Sequence, residues 1–295
     1  KVIKAFFKGL LTYLPFSKSI IRIKKRKSKH SCSDALFCYT LWFRILNYLR
    51  KNNLPIEFEN VAEIGTGGSL GLAFCALLTG SKKYTALEIE ENFNIEENFN
   101  LLDEIASLFK ENKKVPTLKN FSQINVKVQD FNYYSEIIDK NELSKNLSQA
   151  NINNIKENIT LGNGNYIRIL QNWQNKIPEI EPSNFLFSRA VMEHVNDPDS
   201  INSSSYNILR KSGILLHDIE FHSHGITKKW NDHISIHPFI WSVIKGRRPY
   251  YLNRYSYKDH LEFISNNNFK IIDYYLVEKS DVDSSVYGMT IIAKK

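Results

Sequence analysis

Apolar positions along this 295-residue chain fall into short β-like runs separated by helical stripes. Val61-Ala62-Glu63-Ile64 has the length of a buried parallel strand, and a second run covers 84–89. Between them, residues 72–78 are apolar throughout and end at Gly80, a suitable left-handed C′ residue. Upstream, Ser33 or Asp34 can cap a helix over 35–51 with the stripe Leu36, Phe37, Leu41, Trp42, Ile45, Leu46 and Leu49. Downstream come a helix over 95–110, strand patterns at 166–170 and from Asn184, a helix over 201–209 and a strand at 214–217. A helix over 257–265 behind Ser256 and two β-rich runs, 269–277 and 287–293, close the chain. Strands alternating with helices predict an α/β protein. Residues 111–160 interrupt the pattern: rich in Asn, Lys and Ser, they carry a short strand signal at 124–128 and a helical stretch over 134–155. They read as an insertion, either over a ligand or as partly disordered surface.

Between the first strand and its helix lies Gly65-Thr66-Gly67-Gly68-Ser69-Leu70-Gly71. A strand, glycine turn, helix and strand in this order present backbone N–H groups and a helix N-terminus to a polar or anionic ligand. Glu88, about 20 residues on, is placed to accept hydrogen bonds from ribose hydroxyls. A dinucleotide fingerprint requires a third glycine where Leu70 stands. The spacing here is acidic-x-Gly-x-Gly-x-small, from Glu63, Gly65, Gly67 and Ser69.

Charge changes the picture only at one end. The formal net charge is +8, yet residues 1–30 hold ten Lys and Arg and no acid, which leaves the remainder at −2. A broad nucleic-acid-binding face is therefore not expected. In the first 14 residues Lys1, Lys4 and Lys8 share one helical face, while Ile3, Phe6, Phe7, Leu10 and Leu14 gather on the other. Two readings stay open: residues 1–29 lie on an anionic membrane surface, or the helix docks on the body of the protein. Lysines interrupt the apolar region, which argues against a signal peptide. No apolar run of 18 residues predicts a membrane span. Three cysteines without ligand spacing fit a reducing, cytoplasmic setting, peripheral on the inner membrane face if the leader meets lipid.

The glycine turn resembles motif I of the class I S-adenosylmethionine (SAM) methyltransferases, with Glu88 at the motif II position. Glu193-His194-Val195-x-Asp197-Pro198 resembles their "LEHVxDP" block, and Lys211-Ser212-Gly213 before an apolar strand resembles the approach to their fifth strand. The resemblance implies a Rossmann-like, seven-stranded SAM-binding sheet with its last strand antiparallel, a helical N-terminal extension and cap insertions. It divides the chain into a leader and helix, 1–52, and a methyltransferase domain, 53–295, with an insertion at 111–160 and a substrate cap at 219–255. The implied cofactor is SAM, held by Glu63, Gly65, Thr66, Gly67, Ser69, Leu70, Glu88, Ile89, Asn172, Trp173, Ser188 and Arg189. Asn172 and Trp173 can meet the adenine or be structural. The implied reaction is O-methylation of a sugar, glycolipid or other small hydroxylated acceptor, as in bacterial polysaccharide biosynthesis.

A hydroxyl acceptor needs a base near neutrality, and histidine suits it. His194 and His217 come first, His222 and His224 behind them, with Glu193 to orient a ring. Five of the eight histidines lie between His217 and His237. No H-E-x-x-H helix pattern is present, Ala190 stands where a related motif has an acid, and side chains along an extended strand end are expected to diverge. Metal-independent proton abstraction is the expectation. The aromatic and Arg-rich segment 225–255 suits a sugar or phosphate, or packs on itself. Two other classes stay open. One is an NAD-dependent nucleotide-sugar oxidoreductase, disfavoured by Leu70 and by the absence of a Tyr-x-x-x-Lys pair. The other is a SAM-binding partner protein without catalysis.

Overall fold

The computed structural model describes residues 1–14, 31–89, 93–116, 126, 138–161, 164–171, 173, 180–278 and 286–295. Helix α1 is Val2–Leu10 and α2 is Ala35–Lys51. Strand β1 (Asn60–Ile64), α3 (Gly71–Leu78), β2 (Lys83–Glu88) and α4 (Ile95–Lys110) follow. Then come α5 (Lys140–Asn146), α6 (Gln149–Leu161), β3 (Ile167–Gln171) and β4 (Ser183–Arg189). The chain ends with α7 (Pro198–Ile208), β5 (Leu209–Glu220), α8 (Pro238–Lys245), α9 (Tyr257–Asn266), β6 (Lys270–Glu278) and β7 (Val286–Lys294). Among the described residues seven strands form one sheet in the order β3-β2-β1-β4-β5-β7-β6. Strands β1 to β5 pair in parallel, and β7 runs antiparallel to both β5 and β6. This is the sheet of the class I methyltransferases, as the resemblance implies.

Side chains alternate across the sheet, as strand geometry requires. Val61, Phe185, Phe187, Ile214 and Leu216 join a core with α2, α3 and α4, whereas Ala62, Ile64, Leu186 and Leu215 face a second core with α7 and α9. Helix α2 belongs to the first core. Its start is capped by Asp34, whose carboxylate accepts from Phe37 N–H at 2.7 Å. The insertion forms α5 and α6, which pack on α3, α4 and β3; the strand signal at 124–128 lies outside the described residues except for Val126, which is buried.

Helix α1 docks against α8, a helix the sequence pattern did not predict. Val2, Ala5 and Phe6 join Ile226, Trp241, Ile244 and Leu252 in a small third core. Gly9 makes the close approach feasible, because a Cβ there would lie 1.9 Å from Val243 O. The docking reading of the leader therefore holds for residues 2–10. The other apolar edge of α1 remains in solvent: Ile3 is 74% and Phe7 60% exposed, and Leu10, Leu11 and Leu14 follow them.

Candidate active site

The strand order reverses between β1 and β4, and parallel α/β sheets bind ligands at the carboxyl ends of strands flanking such a switch point. The glycine turn leaves β1 there. Gly65, Gly67 and Gly68 have φ of 75°, 66° and 88°, in the left-handed region where side chains are disfavoured. At Gly65 a Cβ would also meet Val191 at 2.6 Å. Glu88, ending β2, reaches across to this turn. One carboxylate oxygen accepts from Gly67 N–H at 2.7 Å and Thr66 Oγ1 at 3.1 Å, and the other from Ile89 N–H at 2.8 Å. Gly65, Thr66, Gly67, Glu88 and Ile89 are thus gathered in one place.

Other residues expected around the cofactor have different positions. Glu63 shares the parity of Val61 and faces the α2–α3 core. It accepts a hydrogen bond from Tyr84 Oη, and burial pushes its carboxyl well above the usual range. Leu70 N–H is occupied by Asn98 Oδ1 at 2.7 Å. Ser69 Oγ donates to Cys32 O and accepts from Gly71 N–H at 3.2 Å, tying the 3-10 turn at Ser31–Ser33 to the start of α3. Trp173 is buried in the second core. Asn172 lies outside the described residues. Ser188 is fully buried and bonded to His217 Nδ1 at 2.7 Å. Arg189 turns toward β5, with Nη2 3.5 Å from Glu220 Oε1 and its guanidinium over Phe37 at 4.9 Å.

The proposed bases separate in the same way. His217 is fully buried, its Nε2 lies 3.3 Å from Asn202 Oδ1, and burial lowers its pKa to about 3. Engaged at both nitrogens and held neutral, it has no open edge toward an acceptor. His194, by contrast, is half-buried in the 3-10 turn Met192–His194 at the end of β4. Its ring centroid is 5.5 Å from that of His224, which lies 4.9 Å from His222. His222 stacks on Trp230 at 3.8 Å, and Trp230 on Tyr287 at 4.1 Å. Glu193 is buried beside His194, and both carboxylate oxygens lack a hydrogen-bond partner among the described residues. Burial, then the charges of Glu220 and Asp218, push its carboxyl well above the usual range.

The expected divergence after β5 does not occur. Regular strand ends at Glu220, the chain turns through His224 at φ 48°, and donor atoms of Glu220, His222 and His224 come within 4.8 Å of one another.

Sequence reasoning missed two asparagines that hold the site. Asn98 holds the second half of the glycine turn, accepting from Leu70 N–H and donating to Gly68 O at 3.2 Å. Asn253 Nδ2 donates to Met192 O at 2.7 Å and Val195 O at 2.9 Å, while its own N–H meets Glu193 O at 2.7 Å. In a chain this rich in asparagine neither position carries a local signal. The arginines of the 225–255 segment are engaged within the protein, Arg247 over the ring of Tyr13 at 5.2 Å. Arg248 stacks on Tyr251 at 3.9 Å and donates to Ile244 O, and Arg254 donates to Ile236 O.

No protein-family model matches the chain, and no curated protein sequence matches it. Its likeness is to solved structures at low identity. The magnesium protoporphyrin IX methyltransferase from Synechocystis, solved with SAH bound, shares 10% identity at a TM-score of 0.45, covering 98% of this chain and 99% of its own. A SAM-dependent methyltransferase from Clostridium acetobutylicum shares 10% identity at 0.43, covering 86% and 90%. One from Methanosarcina mazei shares 16% identity at 0.42, covering 84% and 96%. Strand order and the antiparallel seventh strand, more than these overlaps, define the fold.

Proposed function

We propose that this protein is a SAM-dependent methyltransferase acting on a hydroxyl of a small acceptor, a sugar or glycolipid being the class in view. The observation that carries the reading is the junction between Glu88 and the Gly65–Gly67 turn at the β1/β4 switch point, with Glu193 and His194 ending the neighbouring strand. The turn's N–H groups and positive-φ glycines admit the amino-acid end of SAM, and Glu88 accepts from the ribose hydroxyls. SAM itself supplies the electrophilic methyl group, so the chain's own tasks are alignment of the acceptor and removal of its proton. Half-buried His194 is the base in this reading, and Asn253 fixes the turn that carries it.

The exposed apolar edge of α1, flanked by Lys1, Lys4 and Lys8, is the surface through which the protein meets an anionic membrane, and a lipid-linked acceptor would be delivered there. Among the described residues no helix is long and apolar enough to cross a membrane. Isothermal titration with SAM and with NAD tests the cofactor. One-to-one SAM binding without NAD binding is expected, and the reverse would establish the oxidoreductase reading instead. Transfer of labelled methyl from SAM to a glycolipid extract then tests the acceptor class.

A further inference from the structure

Beyond the cofactor crevice, one cluster has the composition and convergence of a metal site. Glu220, His222 and His224 each direct one donor atom to a common place, all within 4.8 Å of one another. An ion with bonds near 2.1 Å spaces neighbouring donors roughly 3.0–3.4 Å apart, so small side-chain rotations would close the set. Two of the three ligands are held from behind. His222 is stacked on Trp230, whose Nε1–H donates to Tyr287 O at 3.0 Å, and His224 is fixed by a left-handed backbone that residues other than glycine rarely adopt.

An independent observation points to the same place. The Glu193 carboxyl is acted on by the charges of Glu220 and Asp218 and, in the opposite sense, by that of Arg189, whose Nη2 lies 3.5 Å from Glu220 Oε1. Arg189 is shared with the ring of Phe37, Asp218 is met by Thr290 Oγ1 at 3.1 Å, and neither Glu193 oxygen has a hydrogen-bond partner among the described residues. A buried, unpartnered carboxyl beside two further acidic side chains is an environment that a divalent ion would stabilise.

We propose that Glu220, His222 and His224 bind one divalent transition-metal ion, with Zn²⁺ the best match to two imidazoles and a carboxylate in a compact set. His194 stands beside the set, its ring centroid 5.5 Å from that of His224, and an ion held by three side chains would keep an open fourth position. Its use, holding the acceptor oxygen, rests on the methyl-transfer reading, whereas metal binding does not.

The test is Zn²⁺ titration by calorimetry and Co²⁺ titration by visible absorbance on the metal-stripped full chain. The variants are His222→Ala, His224→Ala and Glu220→Gln, with exposed His237→Ala as control. One equivalent is expected in the wild type and in His237→Ala. Each histidine variant should lose at least about 10-fold in affinity. Circular dichroism checks folding, and SAM titration on the same samples keeps the two readings apart, since metal binding can be lost while SAM binding persists. Absence of stoichiometric uptake by the wild type would overturn the proposal. So would uptake unchanged in both histidine variants, or a Co²⁺ spectrum dominated by thiolate charge transfer, which would move the ion to the cysteines.

Discussion

Glu88 is the residue on which the cofactor reading depends most directly. In the structure the residue is 8% exposed and its carboxylate accepts three hydrogen bonds, two of them from the glycine turn. Replacing it by alanine therefore does two things. It removes the acceptor for the ribose hydroxyls, and it releases Gly67 N–H and Thr66 Oγ1 from the end of β2. A hydrogen bond to a charged group is worth about 1.5–3 kcal/mol, and about 1.4 kcal/mol is a factor of ten in affinity. Glu88→Ala should thus weaken SAM binding by roughly 10- to 100-fold. A comparable loss in folding free energy should lower Tm by only about 2–5 °C, because unfolding a chain of this length carries an entropy of roughly 0.6 kcal/mol per degree. Glu88→Gln separates the two effects: its amide oxygen can still accept from Gly67 N–H and keep the turn, while ribose recognition weakens. Calorimetric titration with SAM, beside thermal melts of the three proteins, reads both quantities. A folded Glu88→Ala protein that binds SAM as tightly as the wild type would refute the assignment of this crevice.

Four further outcomes are expected. Gly9→Val should drive α1 off α8 by collision with the Val243 carbonyl, raising hydrogen exchange of amides 2–10. Ile3→Ser with Phe7→Ser should leave docking intact but abolish sedimentation with anionic liposomes, which salt should also weaken; an intact protein that ignores such liposomes would sink the membrane reading. His260 is buried among Phe221, Tyr255 and Phe263 with its pKa lowered to about 4, so it stays neutral in the native state while the unfolded chain protonates below about pH 6.5. Its contribution is present above that pH and is lost as pH falls toward 4, about 2 kcal/mol between pH 7 and 5. His260→Phe should therefore lose about that much less in urea melts, and parallel pH profiles would show the environment is misjudged. Asn253→Ala should cost roughly 2–4 kcal/mol through two lost hydrogen bonds and two stranded carbonyls, and speed amide exchange around the Met192–His194 turn; unchanged exchange there would show that the cap does not hold the turn.

Much of the fold is legible in the sequence because it is carried by local periodicity. The helices at Ala35–Lys51 and Ile95–Lys110 and the terminal strand pair are marked by caps, stripes and alternation within a few residues, and the structure places them within a residue or two of expectation. The glycine turn was legible for a similar reason, since positive φ at 65, 67 and 68 favours glycine, and Glu88 was legible from its spacing to that turn. What the sequence could not reveal is which side of a strand end a side chain serves. His194 and His217 look alike as letters; one lies half-buried at the end of β4, and the other is locked between Ser188 and Asn202 in the interior. Glu63 likewise fits the motif, yet strand parity sends it into the helix layer against Tyr84. The docking of α1 on an unforeseen α8, the Asn253 clamp and the convergence of Glu220, His222 and His224 all join residues distant in sequence or reversed by a turn. Hydrophobic pattern specifies which elements form because burial acts at every residue, but the meeting of particular polar groups depends on how those elements pack, and only the tertiary structure decides that.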